Sequence, residues 1–316
     1  MEKTILVTPR GYARYGQEAR KRLEELGYTM DINDTGKPVP REVFVEKAKE
    51  ATGIIIGVDE LDAELARECK NLKAVVKFGI GVDNIDLPTC EEKSIKVGRC
   101  IGTNSNAVAE LTVGMMFATA RDLVSNAMEV KNGGWSKPTG FELKGKTVGI
   151  LGFGNIGKHV ARMAHGIGMK VMAYDVFDIP EQTLKEYDAV QTDKDTIIEH
   201  CDFITVHVPL LDSTRDMIST EEFKKMKSTA VVINAARGGI VNEHAIYEAL
   251  KNNEVHAVAS DVFTSEPPMA SHEPWVEELL KMDHFVLTAH IASRSREAEM
   301  NTVEEATNQM IKLLSE

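Results

Sequence analysis

Three short segments of the 316-residue chain carry side chains suited to anion binding and proton transfer: "INAARGGIVNEHAI" (233–246), "ASDVFTSEPP" (259–268) and "VLTAHIAS" (286–293). Each apolar run reads as a strand, and its polar residues fall where the strand ends, the edge at which open α/β sheets bind ligands. Arg237 must meet an anion there, and its planar fork suits a substrate carboxylate with the adjacent carbonyl oxygen. An ordinary salt bridge is the alternative, and on this segment alone it is the plainer explanation. Glu266 could partner a histidine, holding its tautomer and favouring its charged form, or it could be a solvated loop carboxylate. His290 is one of nine histidines, and a lone histidine is more often structural than catalytic. Its place at the end of the last strand separates it from His159, His165, His200, His256 and His284, which fall on helices, in turns or at a strand's beginning. His207, also at a strand end, either lines a ligand cleft or fills it.

A fourth segment, "TVGILGFGNIG" (147–157), names the ligand class. An apolar strand enters a turn with Gly152, Gly154 and Gly157 at GxGxxG spacing, and a helix opens near Asn155. Gly152 permits the tight turn, Gly154 lets the backbone approach a pyrophosphate, and Gly157 lets helix and strand pack closely. The helix then directs its free N–H groups and positive dipole end at that phosphate. A second strand ends in Asp175, 23 residues after Gly152, where a carboxylate accepts hydrogen bonds from a ribose diol and repels a 2′-phosphate. The glycines alone could simply make a tight turn. Strand, turn, helix and acid in register point to NAD, in preference to NADP.

The elements that must position these groups follow an α/β rhythm. Apolar runs at 4–8, 53–57 and 72–79 alternate with charged helical stretches, which predicts a parallel sheet covered by helices. This first half lacks the GxGxxG spacing. "AVAELTVGMMFATARDLVSNAMEVK" then reads as one long helix whose apolar faces exceed what one domain needs, so it is expected to pack between domains or subunits. After it the alternation resumes, with strands expected at 147–153, 170–175, 202–209, 229–236, 255–263 and 284–290 and helices at 155–167 and 243–252. That order is doubly wound and Rossmann-type. The last amphipathic stretch could return to the first domain.

Composition narrows the function classes. A net charge of −12 disfavours nucleic acid as a partner. The amino terminus turns polar after one strand's worth of apolar residues, and no stretch approaches the ~18 apolar residues of a membrane span, so neither a signal peptide nor a membrane partner is expected. Cys69, Cys90, Cys100 and Cys201 are scattered without ligand spacing, so no metal site is expected and a cytoplasmic setting fits best.

Together the segments resemble the D-isomer-specific 2-hydroxyacid dehydrogenase family along essentially the whole chain, through "KFGIGVDNID" (77–86), "NSNAVAELTVG" (104–114), "GILGFGNIG", "HVPL", "NAARGGIVNEHAI", "DVFTSEPP" and "HIAS". The resemblance implies two Rossmann-like doubly wound parallel-sheet domains. The NAD-binding one (102–291) is inserted into a substrate domain made of 1–101 and completed by 292–316, which explains why the glycine turn comes so late. It also implies a homodimer built largely through the long helix of the inserted domain. By the same resemblance Arg237, Glu266 and His290 are catalytic, and Ile80 and Gly81 hold the substrate carboxylate through their amides. Asn155, Ile156, Asp175, Val208, Ala235 and Asp261, with His290, contact the cofactor. Arg237 would polarise a C2 carbonyl while His290 protonates the developing alkoxide.

Some positions depart from the family pattern. Ala289 stands where a proline often precedes the catalytic histidine, and Arg99 and Ile101 stand where Asn and Pro are common near the first hinge. "GIGVDNIDL" and "NAARGGIVNE" look most like the phosphoglycerate dehydrogenase branch, but without the regulatory extension many of those enzymes carry. The loop where that branch usually has a phosphate-binding arginine reads "VDELDAE", whose carboxylates repel phosphate. The expected substrate is therefore a D-2-hydroxy acid or its 2-oxo acid, with 3-phosphoglycerate, glycerate or hydroxypyruvate, and glyoxylate as candidates. The alternative is an NAD(H)-sensing protein of the corepressor type on the same fold.

Overall fold

The computed structural model describes residues 3–315, and the chain divides into two compact units, Met1–Asn104 with Arg294–Glu316, and Ser105–Ser293. The chain crosses between them at 104–105 and 293–294, where 101–102 and 291–292 are expected from sequence.

The first unit is a five-stranded parallel sheet of β1 (Thr4–Val7), β2 (Thr29–Ile32), β3 (Gly53–Ile56), β4 (Ala74–Lys77) and β5 (Lys96–Arg99), in the order β2-β1-β3-β4-β5. Strand β3, "GIII", is buried along its whole length because helices cover both faces. The carboxy-terminal helix Arg296–Ser315 belongs to this unit and sets Val303, Ala306 and Met310 into its core. Its Thr307 hydroxyl shares a 2.8 Å hydrogen bond with the Tyr12 hydroxyl.

The second unit holds seven parallel strands: β6 (Thr147–Leu151), β7 (Lys170–Tyr174), β8 (Ala189–Gln191), β9 (Phe203–Val206), β10 (Val231–Asn234), β11 (Ala257–Ser260) and β12 (Phe285–Leu287). Their order is β12-β11-β10-β9-β6-β7-β8, so the strand order reverses beside β6, the strand that leads into the glycine turn. The helix Asn155–Ile167 buries Gly157, Val160, Ala161 and Ala164, one helical stripe, and ends on Gly168 in the left-handed region.

Two expectations are corrected here. The long helix is two helices, Ser105–Ala120 and Leu123–Lys131, because Asp122 takes φ +49° and a left-handed residue cannot continue a right-handed helix. The strands are shorter than their apolar runs: β12 ends at Leu287 and His290 lies beyond it in a turn. Strands β2, β5 and β8 have no counterpart in the sequence reading. All three are edge strands that bury little, so hydrophobic patterning marks them weakly.

Candidate active site

The glycine turn is shaped for a close backbone approach. A Cβ on Gly157 would stand 2.3 Å from the Gly152 carbonyl oxygen and 3.1 Å from Ile150, so only glycine lets this helix start against β6. Gly152 turns at φ +98°, while nothing lies within 4 Å of a Cβ placed on Gly154. The helix beginning at Asn155 has Gly154 at its N-cap and no side-chain cap, so no capping side chain satisfies its first N–H groups. The Asp175 carboxylate accepts a 2.9 Å bond from the Phe153 amide and a 3.3 Å bond from the Phe177 amide, which fastens it beside the turn. Ile156 and Ala235 meet in one small apolar cluster with Val108, Leu111 and Ala292. Partly buried Val208 follows β9 and packs on the apolar core. Next to it, both ring nitrogens of His207 are buried without partners, and burial pushes that imidazole down to about 3, so it is neutral at physiological pH.

The carboxyl ends of β10, β11 and β12 are tied to one another. Asn234, the last residue of β10, accepts from the Ala236 amide (3.0 Å) and donates to the Arg237 carbonyl (2.8 Å), forming a side-chain-closed turn. Arg237 is half-buried, and its Nη1 donates to the Ala236 carbonyl at 2.8 Å. A Cβ on Gly238 would sit 2.3 Å from the Phe263 carbonyl carbon, so the arginine loop lies directly against the segment after β11. Glu243 clamps the two: its carboxylate accepts from the Gly239 amide, the Thr264 amide and the Thr264 hydroxyl at 2.8–3.0 Å.

The third tie is Asp261. It is 1% exposed, and its carboxylate accepts from the Thr288 hydroxyl (2.5 Å), the Ile291 amide (2.9 Å) and the Ala292 amide (2.7 Å), while its carbonyl accepts from the His290 amide (2.8 Å). Expected as a cofactor contact, Asp261 here directs its carboxylate to the segment that carries His290. That segment holds His290 at φ +52°, with Nδ1 3.0 and 3.2 Å from the two Glu266 oxygens. Glu266 is itself steadied by the Phe263 amide at 3.3 Å. A carboxylate on Nδ1 keeps a proton on that nitrogen and leaves Nε2 for exchange with a ligand.

Sequence reasoning missed Glu243 and the support that Asp261 gives to the segment carrying His290. Glu243 opens the helix Glu243–Lys251, where an acid reads as ordinary dipole compensation; its partner Thr264 is 21 residues away. Ile80 and Gly81 belong to the first unit, half-buried in the loop after β4, where Gly79 takes φ +150°. On the same sheet edge a cavity of about 350 Å³ is lined by Arg10, Arg14, Asn33 and Arg294, with Glu299 paired to Arg294 at 2.9 Å.

An uncapped helix at an open glycine turn, an anchored acid after β7 and a histidine–glutamate pair beyond β12 define a dinucleotide-dependent oxidoreductase. The sequence profile of the D-isomer specific 2-hydroxyacid dehydrogenase NAD-binding domain matches residues 113–292. A hydroxypyruvate reductase of Thermotoga maritima is 37% identical over 297 residues, which cover 93% of this chain and 92% of that protein. A D-3-phosphoglycerate dehydrogenase of Archaeoglobus fulgidus is 37% identical over 90% of this chain, but this chain spans only 53% of its length. The structure of a D-lactate dehydrogenase from Aquifex aeolicus, complexed with NAD and lactic acid, superimposes with a TM-score of 0.83 at 28% identity, covering 99% of this chain and 96% of that one. The chain belongs to the D-isomer-specific 2-hydroxyacid dehydrogenase family, and its cofactor is NAD.

Proposed function

We propose that this dehydrogenase works on a small unphosphorylated 2-oxo acid of the glyoxylate or hydroxypyruvate kind, reducing it to the D-2-hydroxy acid, with Arg237, Glu266 and His290 as its catalytic set. The observation that carries the assignment is the His290–Glu266 pair, 3.0 Å apart, on a segment that Asp261 ties to the end of β11. The glycine turn and the helix at Asn155 would hold the pyrophosphate, Asp175 the adenosine ribose, and Ile156, Val208 and Ala235 the apolar faces of the cofactor. When bound, the nicotinamide supplies the hydride that C2 gains. Arg237 takes the substrate carboxylate and polarises the C2 carbonyl through its two-pronged guanidinium, and the Ile80 and Gly81 amides bind the same carboxylate. His290 gives the proton on Nε2 to the C2 oxygen as charge develops there, completing the hydroxyl group. Glu266 stabilises the imidazolium that must exist before that transfer. In the oxidation direction neutral His290 takes the proton back.

Charge in the first unit supports an unphosphorylated substrate. Of the acids following β3, Asp62 is committed: it caps the helix Ala63–Glu68 through the Leu65 amide at 2.8 Å and pairs with Arg41. Asp59 and Glu60 have no ion-pair partner among the described residues and repel a phosphate. Arg99 ends β5, two strands from β3, which is about 10 Å at the ordinary strand spacing. The exposed side chains of Phe117, Leu123, Val124, Met128 and Trp135 support a homodimer formed through the two helices either side of Asp122. A cytoplasmic setting is part of the same reading; among the described residues no helix is long and apolar enough to cross a membrane.

The test is NADH oxidation with glyoxylate, hydroxypyruvate, pyruvate, phenylpyruvate and 3-phosphohydroxypyruvate. The first two are expected to have the highest kcat/KM, at least tenfold above the phosphorylated acid. A preference for 3-phosphohydroxypyruvate that falls in Arg99→Ala would overturn the substrate assignment. Tight NADH binding without turnover on any acid would point to a sensor instead.

A further inference from the structure

At the amino ends of β11 and β12, away from the catalytic set, the fold gathers three metal-ligating side chains from separate segments. His256 immediately precedes β11 and His284 immediately precedes β12, and these parallel neighbours pair Val258 with Phe285. The two imidazole rings are 5.2 Å apart between centroids. Asp122, at the break between the two long helices, completes the group, and one ligand atom from each residue lies within 4.8 Å of the others.

Hydrogen bonding does not account for how these groups are disposed. Asp122 occupies the N-cap of Leu123–Lys131, yet its side chain makes no capping bond. Its Oδ1 stands 3.6 Å from His284 Nδ1, within ion-pair range of a protonated imidazole but longer than a hydrogen bond. That separation is close to the ~3.3 Å between neighbouring ligands around a tetrahedral zinc ion with bonds of about 2.0 Å. His256 Nε2 is buried with no partner. Beside the group lies a cavity of about 10 Å³, lined by Asp122, His284, Thr119, Ser125 and Asp283, the size of one water molecule or ion.

We propose that Asp122, His256 and His284 bind a divalent transition-metal ion, with Zn²⁺ the best match. Two imidazoles and a carboxylate suit zinc, whereas calcium and magnesium demand oxygen ligands. The ion would join the helix break to the starts of two strands, so its role is structural. The strands run from this site toward Arg237 and His290, placing β11 and β12 between the ion and the chemistry.

The experiment is calorimetric titration of chelator-stripped enzyme with Zn²⁺ at pH 7.5, paired with thermal unfolding, on wild type and on Asp122→Asn, His284→Gln and His290→Gln. Wild type and His290→Gln are expected to bind one equivalent and to gain thermal stability. Asp122→Asn and His284→Gln are expected to bind at least tenfold more weakly and to lose that gain, while oxidising NADH normally without zinc. Asparagine tolerates the left-handed backbone of position 122, and His284 is half exposed, so the two variants test the site through different elements. Unchanged zinc affinity in both variants overturns the proposal. So does a loss of binding in His290→Gln alone, which would put the ion on the catalytic pair.

Discussion

Asp261→Asn separates two roles that the sequence cannot distinguish, cofactor contact and support of His290. The carboxylate accepts three bonds, two of them from the Ile291 and Ala292 amides immediately after the histidine, in a site 1% exposed. An amide in its place keeps one accepting oxygen and presents an N–H₂ group to a donor, so at least one buried N–H loses its partner. Losing a buried hydrogen bond to a charged group costs about 1.5–3 kcal/mol, and the donor–donor clash brings the total to about 3 kcal/mol. If that cost falls on the ordered state of residues 288–292, the fraction of molecules presenting His290 to Nε2 chemistry drops by up to about a hundredfold, since about 1.4 kcal/mol is a factor of ten. The expected result is a kcat lowered at least tenfold, with NADH affinity, measured by its fluorescence on binding, changed by less than about threefold. The protein should remain folded by circular dichroism, with a lower urea midpoint. A proportional loss of NADH affinity with unchanged kcat would refute the positioning role, and an unchanged kcat and midpoint together would refute the bond accounting itself.

Four other outcomes follow from the same geometry. Gly157→Ala must move the Gly152 carbonyl by roughly an ångström to relieve a 2.3 Å approach, so NADH affinity should fall at least tenfold in a direct titration; an unchanged affinity would remove the turn from the cofactor site. Asp175→Ala should raise the ratio of NADPH to NADH kcat/KM by at least tenfold, and a constant ratio would mean that the acid does not read the ribose. With His290 as the proposed proton carrier, reduction requires it protonated and oxidation requires it neutral, so the oxidation rate should peak at higher pH than the reduction rate; coincident profiles would argue against that role. His207 titrates at about 3 in the fold, below the ordinary histidine value near 6.5, so the unfolded chain binds more protons between those values. Cofactor-free protein should therefore lose stability as pH falls from about 6.5 toward 3, and His207→Leu should flatten that slope in urea titrations.

Sequence and structure divide this protein along a physical line. Local order leaves a trace in adjacent residues: "GILGFGNIG" predicts a strand, a turn and a helix because glycine spacing and apolar periodicity are properties of neighbours, and Asp175 follows at the distance one βαβ unit imposes. The arginine, glutamate and histidine stand out because each follows an apolar run, although the runs overstate their strands: after β11, Val262 and Phe263 stay buried beyond the ladder, and His290 sits in a left-handed turn three residues after β12. Long-range ties leave no such trace. That Glu243 clamps Gly239 to Thr264, that Asp261 is turned toward residues 288–292, and that Asp122 breaks an apolar helix beside His256 and His284 depends on which strands become neighbours. Strand order is set by packing both faces of a sheet at once. Residue types therefore announced the chemistry from the sequence alone, while the supports that aim those residues emerged only when β10, β11 and β12 were laid side by side.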